Sequence, residues 1–317
     1  MEIAIDRNVK TIPTDFSWQF GIGNDHACQM LRTDVCEHVK LAHDELGFRY
    51  IRFHGIFDDD LLVIQRLTDY FNFAAMPWAK GVQELSFRQI ANVFDNVLKC
   101  GMKPFVELSF MPSTIAKGKK VGLRYRNHID MPKHMERWCD LVEKFIRFLL
   151  NRYGKEEVES WYFEVWNEPD LPIFFHGKQQ DYFDLYAATV QTVKNVNPAL
   201  RVGGPSTSAC RWVDDFKTYC EKNHVPYDFL TTHHYPGDGF GNSFGIKDAF
   251  KMMKITHDNA KNGVDLGDTL TRYFFKPEIY KTWTKGILRK LDEKARHEAG
   301  DKPLFMTEWN SMAVYSA

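Results

Sequence analysis

The stretch Trp161-Tyr162-Phe163-Glu164-Val165-Trp166-Asn167-Glu168-Pro169-Asp170 contains the pattern on which the fold prediction depends. Its first five residues are mostly aromatic or β-branched, which is typical of a buried strand. The proline after Glu168 has no N–H for a β-ladder, so the strand has to end there. The stretch therefore predicts a carboxylate at the point where a buried strand becomes a loop.

A second stretch, Pro303-Leu304-Phe305-Met306-Thr307-Glu308-Trp309-Asn310, repeats this arrangement. A short apolar run again leads to a glutamate beside an aromatic residue. A lone glutamate is usually a solvated loop residue. Two of them at matching strand ends are the pair of carboxylates that hydrolysis of a glycosidic bond requires. We therefore treat Glu168 and Glu308 as candidate catalytic residues.

Short apolar runs alternate with longer segments of helical periodicity along the chain. This alternation predicts a parallel sheet, and seven such units favour a (β/α)8 TIM barrel. A doubly wound sheet is the alternative, but Gly21-Ile22-Gly23-Asn24-Asp25 lacks the third glycine of a phosphate-binding turn. The predicted strands are residues 16–22, 50–53, 103–108, 161–165, 201–203, 229–232 and 303–307. The predicted helices cover residues 141–150, 183–194 and 283–298, and another begins at residue 214.

The number of residues after Glu308 limits how many strands of the barrel this sequence can contain. Only the residues 309–317 follow Glu308, which is too few for an eighth strand and its helix. We expect residues 15–317 to form an incomplete (β/α)8 barrel that reaches strand seven and belongs to a longer protein. Residues 1–14 are expected to be an N-terminal segment of an accessory β-structure.

The composition excludes several classes of protein. The 317 residues carry 41 Lys and Arg against 42 Asp and Glu, and this balance argues against a nucleic-acid or membrane-surface role. The first residues lack a hydrophobic signal core, and no apolar run approaches the ~20 residues of a membrane span. The six scattered cysteines form no CxxC pair and are expected to be reduced thiols. We expect a cytoplasmic protein.

Several further side chains end predicted strands, where a barrel enzyme places its site. Asn167 either donates its amide to a sugar 2-hydroxyl or is a turn residue before proline. Phe110 is either a platform for a sugar ring or a core residue. Adjacent histidines at 233 and 234 also suggest zinc, but they would point to opposite faces of a strand, and neither HExxH nor a cysteine partner accompanies them. Binding of sugar hydroxyls is therefore the preferred role for His54 and His233, and Tyr235 is expected to lie near the nucleophile.

With both glutamate motifs placed, the chain resembles glycoside hydrolase family 39, especially its bacterial β-xylosidases. The resemblance covers nearly all of the sequence. The motifs that carry it are Gly47-Phe48-Arg49-Tyr50-Ile51-Arg52-Phe53-His54-Gly55, Gly101-Met102-Lys103-Pro104-Phe105-Val106-Glu107-Leu108-Ser109-Phe110-Met111-Pro112, Phe163-Glu164-Val165-Trp166-Asn167-Glu168-Pro169-Asp170 and Thr231-Thr232-His233-His234-Tyr235-Pro236.

The resemblance implies a retaining mechanism with Glu168 as general acid/base and Glu308 as nucleophile. It also implies a subsite for the reacting sugar, lined by the residues His54, Phe110, Asn167, His233 and Tyr235. Members of this family usually have an eighth strand and a C-terminal β-sandwich, and we expect neither within these 317 residues.

The expected function is release of a terminal sugar, β-D-xylose, from oligosaccharides by double displacement. One alternative is a glycosidase of the same family acting on an iduronide, galactoside, glucoside or arabinoside; another is a non-catalytic carbohydrate-binding barrel. We expect a glycoside substrate, no cofactor and no catalytic metal. We expect neither a nucleic-acid nor a membrane partner, and we expect a homo-oligomer.

Overall fold

The computed structural model describes residues 15–66, 83–122, 127–235, 254–255, 257–259, 261–263 and 287–310. Within these ranges, seven parallel strands form one sheet in the order β1-β2-β5-β6-β7-β8-β9, while β3 and β4 form a separate antiparallel pair. The predicted class, a (β/α)8 barrel reaching strand seven, is confirmed. The strands are β1 (Gly21–His26), β2 (Tyr50–His54), β3 (Ile64–Arg66), β4 (Gln83–Leu85), β5 (Lys103–Leu108), β6 (Tyr162–Val165), β7 (Arg201–Thr207), β8 (Phe229–His234) and β9 (Leu304–Trp309).

Helices follow the strands and cover the outside of the sheet. In the longest helix, apolar residues at helical spacing are buried, and the helix ends before Gly154, which has a left-handed φ of 85°. No helix in the described ranges combines the length and the apolar character needed to cross a membrane. The helices are α1 (Thr33–Leu46), α2 (Arg88–Lys99), α3 (Met135–Tyr153), α4 (Lys155–Glu159), α5 (Gln179–Val196), α6 (Val213–Lys222) and α7 (Ile287–Ala299).

The first predicted strand was placed wrongly. Residues 17–20 form a 3-10 helix, and β1 begins only at Gly21. The aromatic residues between 16 and 20 favour a strand by their type, but the ring of Phe20 turns inward and stacks on Tyr50 and Phe305, at centroid distances of 4.8 and 4.7 Å. The predicted segment 1–14 and residues 283–286 of the last predicted helix lie outside the described residues.

A layer of aromatic rings fills the N-terminal end of the barrel. Its rings contact one another at centroid distances between 4.7 and 6.2 Å. Phe20, which leads into β1, touches Phe305 of β9, so the two edges of the sheet approach each other and the barrel is nearly closed. The layer consists of Phe20, Tyr50, Phe105, Tyr162, Phe229 and Phe305. Because this end is filled, the opposite end is the one open to a site.

Three strand pairs slip in register near the C-terminal ends of their strands. The slips lie between Gly23 and His26 on β1, between Pro205 and Thr207 on β7, and between Thr232 and His233 on β8, where the partners on β9 are Met306 and Glu308. An unpaired residue of this kind bends a strand and re-aims its side chains. The slips therefore change which residues face the barrel interior at its open end.

Replacing Phe105 with Ala should destabilise the fold. Phe105 is buried and contacts the rings of Phe20, Tyr162, Phe229 and Phe305, so truncation leaves a cavity. We expect a loss of about 3–5 kcal/mol in the free energy of unfolding, measured by urea denaturation. The control is Leu41→Ala on the exposed face of α1, where 58% of the residue is accessible. Equal losses in the two variants would contradict the aromatic layer as a stabilising element.

Candidate active site

The two predicted glutamates meet at the C-terminal end of the barrel. Glu168 follows β6 in a left-handed conformation with a φ of 41°, and its N–H donates to the carbonyl of Ser206 over 2.9 Å. Glu308 lies in β9, with 17% of its side chain accessible. One carboxylate oxygen from each lies within 4.8 Å of the other and of a ring nitrogen of His233. Carboxylates from β6 and β9 thus flank one small space.

Cationic and hydrogen-bonding groups surround the carboxylate of Glu308. Nη1 of Arg52 donates to Oε1 over 2.7 Å, and the hydroxyl of Tyr235 donates to Oε2 over 2.9 Å. Nε2 of His54 lies 3.4 Å from Oε1. Burial opposes ionisation here, but the charges of His233, Arg52 and His54 and the bond from Tyr235 hold the pKa of Glu308 far below its usual range. Glu308 is therefore ionised at neutral pH.

The environment of Glu168 has the opposite effect. Its side chain is 9% accessible, and burial raises the pKa of the carboxyl above its ordinary value, with a further rise from the negative charge of Glu308. Nδ1 of His233 lies 2.9 Å from Oε1 of Glu168, which partly offsets this rise. Two carboxyls in one site thus have pKa values displaced in opposite directions, as separate acid and nucleophile roles require.

A buried guanidinium joins the two sides of the site. Nε of Arg52 donates to Glu164 over 2.6 Å, and Nη2 lies 2.6 Å from Oε2 of Glu107. Nη2 also donates to Oδ1 of Asn167 over 3.1 Å and to the hydroxyl of Ser206 over 3.2 Å. With Glu308 included, Arg52 contacts five side chains. Because the oxygen of Asn167 accepts from Arg52, its amide nitrogen remains as the donor.

Each histidine of the site is oriented by a second partner. Nδ1 of His54 lies 2.8 Å from Glu107, which directs Nε2 towards Glu308. Burial favours the neutral ring, but Glu107 outweighs it and the pKa of His54 rises to about 9. Nε2 of His233 lies 3.1 Å from the hydroxyl of Ser206, which directs Nδ1 towards Glu168. Six of the seven predicted residues are therefore close together: His54, Asn167, Glu168, His233, Tyr235 and Glu308.

Phe110 is the seventh predicted residue, and it packs against other aromatic side chains. It is 1% exposed and contacts Trp166 edge to face, with 5.4 Å between centroids, and Phe174 in a stacked orientation. This is the arrangement of a core residue that supports the strand end, and its role as a sugar platform stays a prediction.

Sequence reasoning missed Arg52, Glu107 and Ser206 as parts of the site. Arg52 and Glu107 lie inside two of the motifs that carry the family resemblance. The feature that could have identified them is a charged residue within a strand that is predicted to be buried. Residues two apart on a strand share a face, so Arg52 necessarily points to the same side as His54. Ser206 gave no comparable signal, because a register slip in β7 sets its direction.

The chain matches the model of glycosyl hydrolases family 39 over residues 1–265. This match spans most of the sequence, and the barrel and its pair of carboxylates agree with it. The chain therefore belongs to glycosyl hydrolases family 39.

Individual relatives agree with this assignment. The chain is 37% identical over 313 residues to a β-xylosidase of Caldicellulosiruptor saccharolyticus, covering 98% of the chain and 56% of the relative. It is 34% identical over 222 residues to a β-xylosidase of Geobacillus stearothermophilus, covering 69% and 42%. The crystal structure of a GH39 enzyme from Xanthomonas axonopodis pv. citri superimposes with a TM-score of 0.73 at 30% identity, covering 96% and 53%. The chain spans about half the length of the relatives it matches.

Replacing Arg52 with Met should destabilise the protein strongly. The change leaves Glu107 and Glu164, both fully buried, without their shared cation. We expect a loss of about 3–5 kcal/mol in the free energy of unfolding, measured by urea denaturation. The matched control is Arg152→Met, because Arg152 pairs with Asp95 at the surface and should contribute about 1 kcal/mol or less. A loss for Arg52→Met no larger than the control would show that the buried network contributes little.

Proposed function

We propose that the chain forms the catalytic barrel of a retaining glycosidase that releases β-D-xylose from the end of oligosaccharides. The observation that carries the proposal is the pair Glu168 and Glu308, with oxygens within 4.8 Å and pKa values shifted apart. A retaining enzyme needs its carboxyl groups about 5–5.5 Å apart, whereas inversion needs about 6.5–9.5 Å to admit a water molecule. The short separation favours retention.

In the first step, Glu308 attacks the anomeric carbon while the bond to the leaving oxygen breaks. Glu168 gives its proton to that oxygen, so the leaving group departs as a neutral alcohol. The product is a glycosyl ester on Glu308. The amide nitrogen of Asn167, oriented through the contact of its oxygen with Arg52, donates to the sugar 2-hydroxyl.

In the second step, water attacks the anomeric carbon from the side of Glu168. Glu168 is now ionised and takes the proton of the water as the ester bond to Glu308 breaks. Loss of the charge on Glu308 in the intermediate removes one cause of the raised pKa of Glu168. The released sugar has the configuration of the substrate.

The charges in the site favour a neutral sugar. An iduronide needs a cation for its carboxylate, but Arg52 already contacts three carboxylates and two polar side chains. The charge of His54 is balanced by Glu107 and Glu308. The two relatives described above are named β-xylosidases, which supports xylose. A panel of aryl xyloside, glucoside, galactoside, arabinoside and iduronide substrates tests the choice, and fastest turnover of another glycoside would replace xylose.

A non-catalytic carbohydrate-binding barrel remains the alternative from another class of protein. The split pKa values argue against it, because sugar binding alone does not require an acid beside a carboxylate held ionised. Sugar binding without hydrolysis of any aryl glycoside would favour it. We also retain a cytoplasmic location and a homo-oligomer as proposals, to be tested by cell fractionation and sedimentation.

Changing Glu308 to Gln should reduce kcat for an aryl β-xyloside by several orders of magnitude, because the amide cannot form the glycosyl ester. The measurement is the steady-state rate at saturating substrate, with circular dichroism to confirm folding. The matched control is Glu298→Gln on α7, outside the site, which should retain the parent rate. Retention of near-parent activity in Glu308→Gln would mean that another residue is the nucleophile.

Changing Glu168 to Ala should reduce the rate of hydrolysis most for substrates whose leaving group has to be protonated. We expect xylobiose hydrolysis to fall far more than that of a 2,4-dinitrophenyl xyloside, whose leaving group departs unprotonated. The pKa of Glu168 is raised, so in the parent kcat/KM should fall at alkaline pH as Glu168 loses its proton. This alkaline limb of the pH profile should be absent in the variant. Equal losses on both substrates, with the alkaline limb intact, would assign the acid role elsewhere.

A further inference from the structure

A second group of side chains of the types that bind metals lies on the outer face of the barrel, between the sheet and the helices. Within the described ranges, two groups of three such residues bring one ligand atom each to within 4.8 Å of the others. One is the set Glu168, His233 and Glu308. The other comprises Cys210, His234 and Asp292, which the proposed function does not use.

Three different elements assemble this second group. Cys210 ends the 3-10 helix Ser208–Cys210 after β7, His234 is the last residue of β8, and Asp292 lies in α7, which packs against that 3-10 helix. Successive side chains on a strand point to opposite faces, so His233 reaches the site and His234 points out to the helix layer. Nδ1 of His234 lies 3.0 Å from Oδ1 of Asp292.

The ligand set indicates which ion would fit. A thiolate, an imidazole and a carboxylate are the three ligand types of zinc sites, whereas magnesium and calcium prefer oxygen alone. Cys210 and His234 are 1% and 3% exposed, so two ligands are fixed by packing. Asp292 has 52% of its side chain accessible, which provides an entry path and room for water as a fourth ligand.

One of the sequence arguments against zinc at the adjacent histidines, beside their opposite faces and the absence of HExxH, is that no cysteine accompanies them. That argument fails for His234, because the fold brings Cys210 to it from the preceding βα unit. The alternative is a His234–Asp292 hydrogen bond beside a buried thiol, without an ion.

We propose that Cys210, His234 and Asp292 bind a zinc-class divalent cation. Binding displaces the thiol proton into solvent and forms bonds from the metal to sulfur, nitrogen and oxygen, with no change in oxidation state. The ion joins α7 to the ends of β7 and β8. It therefore stabilises the folded chain according to its concentration and affinity. The site is separate from the carboxylate pair, so its failure would leave the proposed function untouched.

Cobalt is the probe that tests this site directly. Protein stripped with chelator is titrated with Co²⁺, and we expect a sulfur-to-cobalt charge-transfer band, together with the intense visible absorption of a tetrahedral ion. Zinc should displace the cobalt and abolish both. Cys210→Ser should lose the charge-transfer band, and Asp292→Asn should weaken binding by at least about tenfold. Asp292 is half exposed, so this second variant tests the site even if Cys210→Ser folds poorly.

Two control variants locate the signal. Cys220→Ser removes another fully buried thiol, on α6 outside the group, and should leave the band unchanged. Glu308→Gln changes a carboxylate of the other three-residue group, outside the proposed metal site, and should also leave the band unchanged. The proposal is overturned if micromolar Co²⁺ gives no sulfur-to-cobalt band in the parent. It is equally overturned if the band persists in Cys210→Ser or disappears in Cys220→Ser.

Discussion

The buried guanidinium of Arg52 is the interaction on which the arrangement of the site depends. Glu107 and Glu164 are fully buried, and Arg52 lies 2.6 Å from a carboxylate oxygen of each. A buried ion pair is strongly destabilised when one partner is removed. Arg52 supplies the positive charge and uses its remaining N–H groups to bind Glu308, Asn167 and Ser206. A single side chain on β2 therefore positions groups on β6, β7 and β9. Its planar fork suits this task better than the point charge of a lysine would.

The barrel interior is organised in layers along its axis. Aromatic rings fill the N-terminal end, the charged groups around Arg52 lie above them, and the carboxylate pair lies at the open end. Tyr50 and Arg52 share one face of β2, so the aromatic and charged layers follow from the alternation of side chains along a strand. The aromatic layer excludes water from below the charges. This exclusion strengthens the electrostatic interactions that separate the pKa values of Glu168 and Glu308.

The barrel and most of the site could be predicted from the sequence, because an aromatic strand that ends at a glutamate is a pattern that a short stretch of sequence contains in full. Glu168 and Glu308 could be found in this way without knowledge of their partners. The role of Arg52 could not, since a charge inside a strand is informative only once its neighbours are known. The predicted start of β1 is wrong because aromatic residues are typical of strands but can also fill the end of a barrel from a 3-10 helix, as Phe20 does. The meeting of Cys210 with His234 depends on how β7 and β8 pack, which no local pattern encodes.

The register slip in β9 has a consequence for how this site can vary. Thr307 and Glu308 are adjacent, and in a regular strand they would face opposite sides. Here Thr307 bonds to Glu164 and Glu308 bonds to Arg52, because the ladder skips one residue between Met306 and Glu308. The geometry of the carboxylate pair thus depends on the number of residues in β9 as well as on their identities. Loss or gain of one residue at this point would turn the Glu308 side chain away from Glu168 while leaving both glutamate motifs recognisable in the sequence.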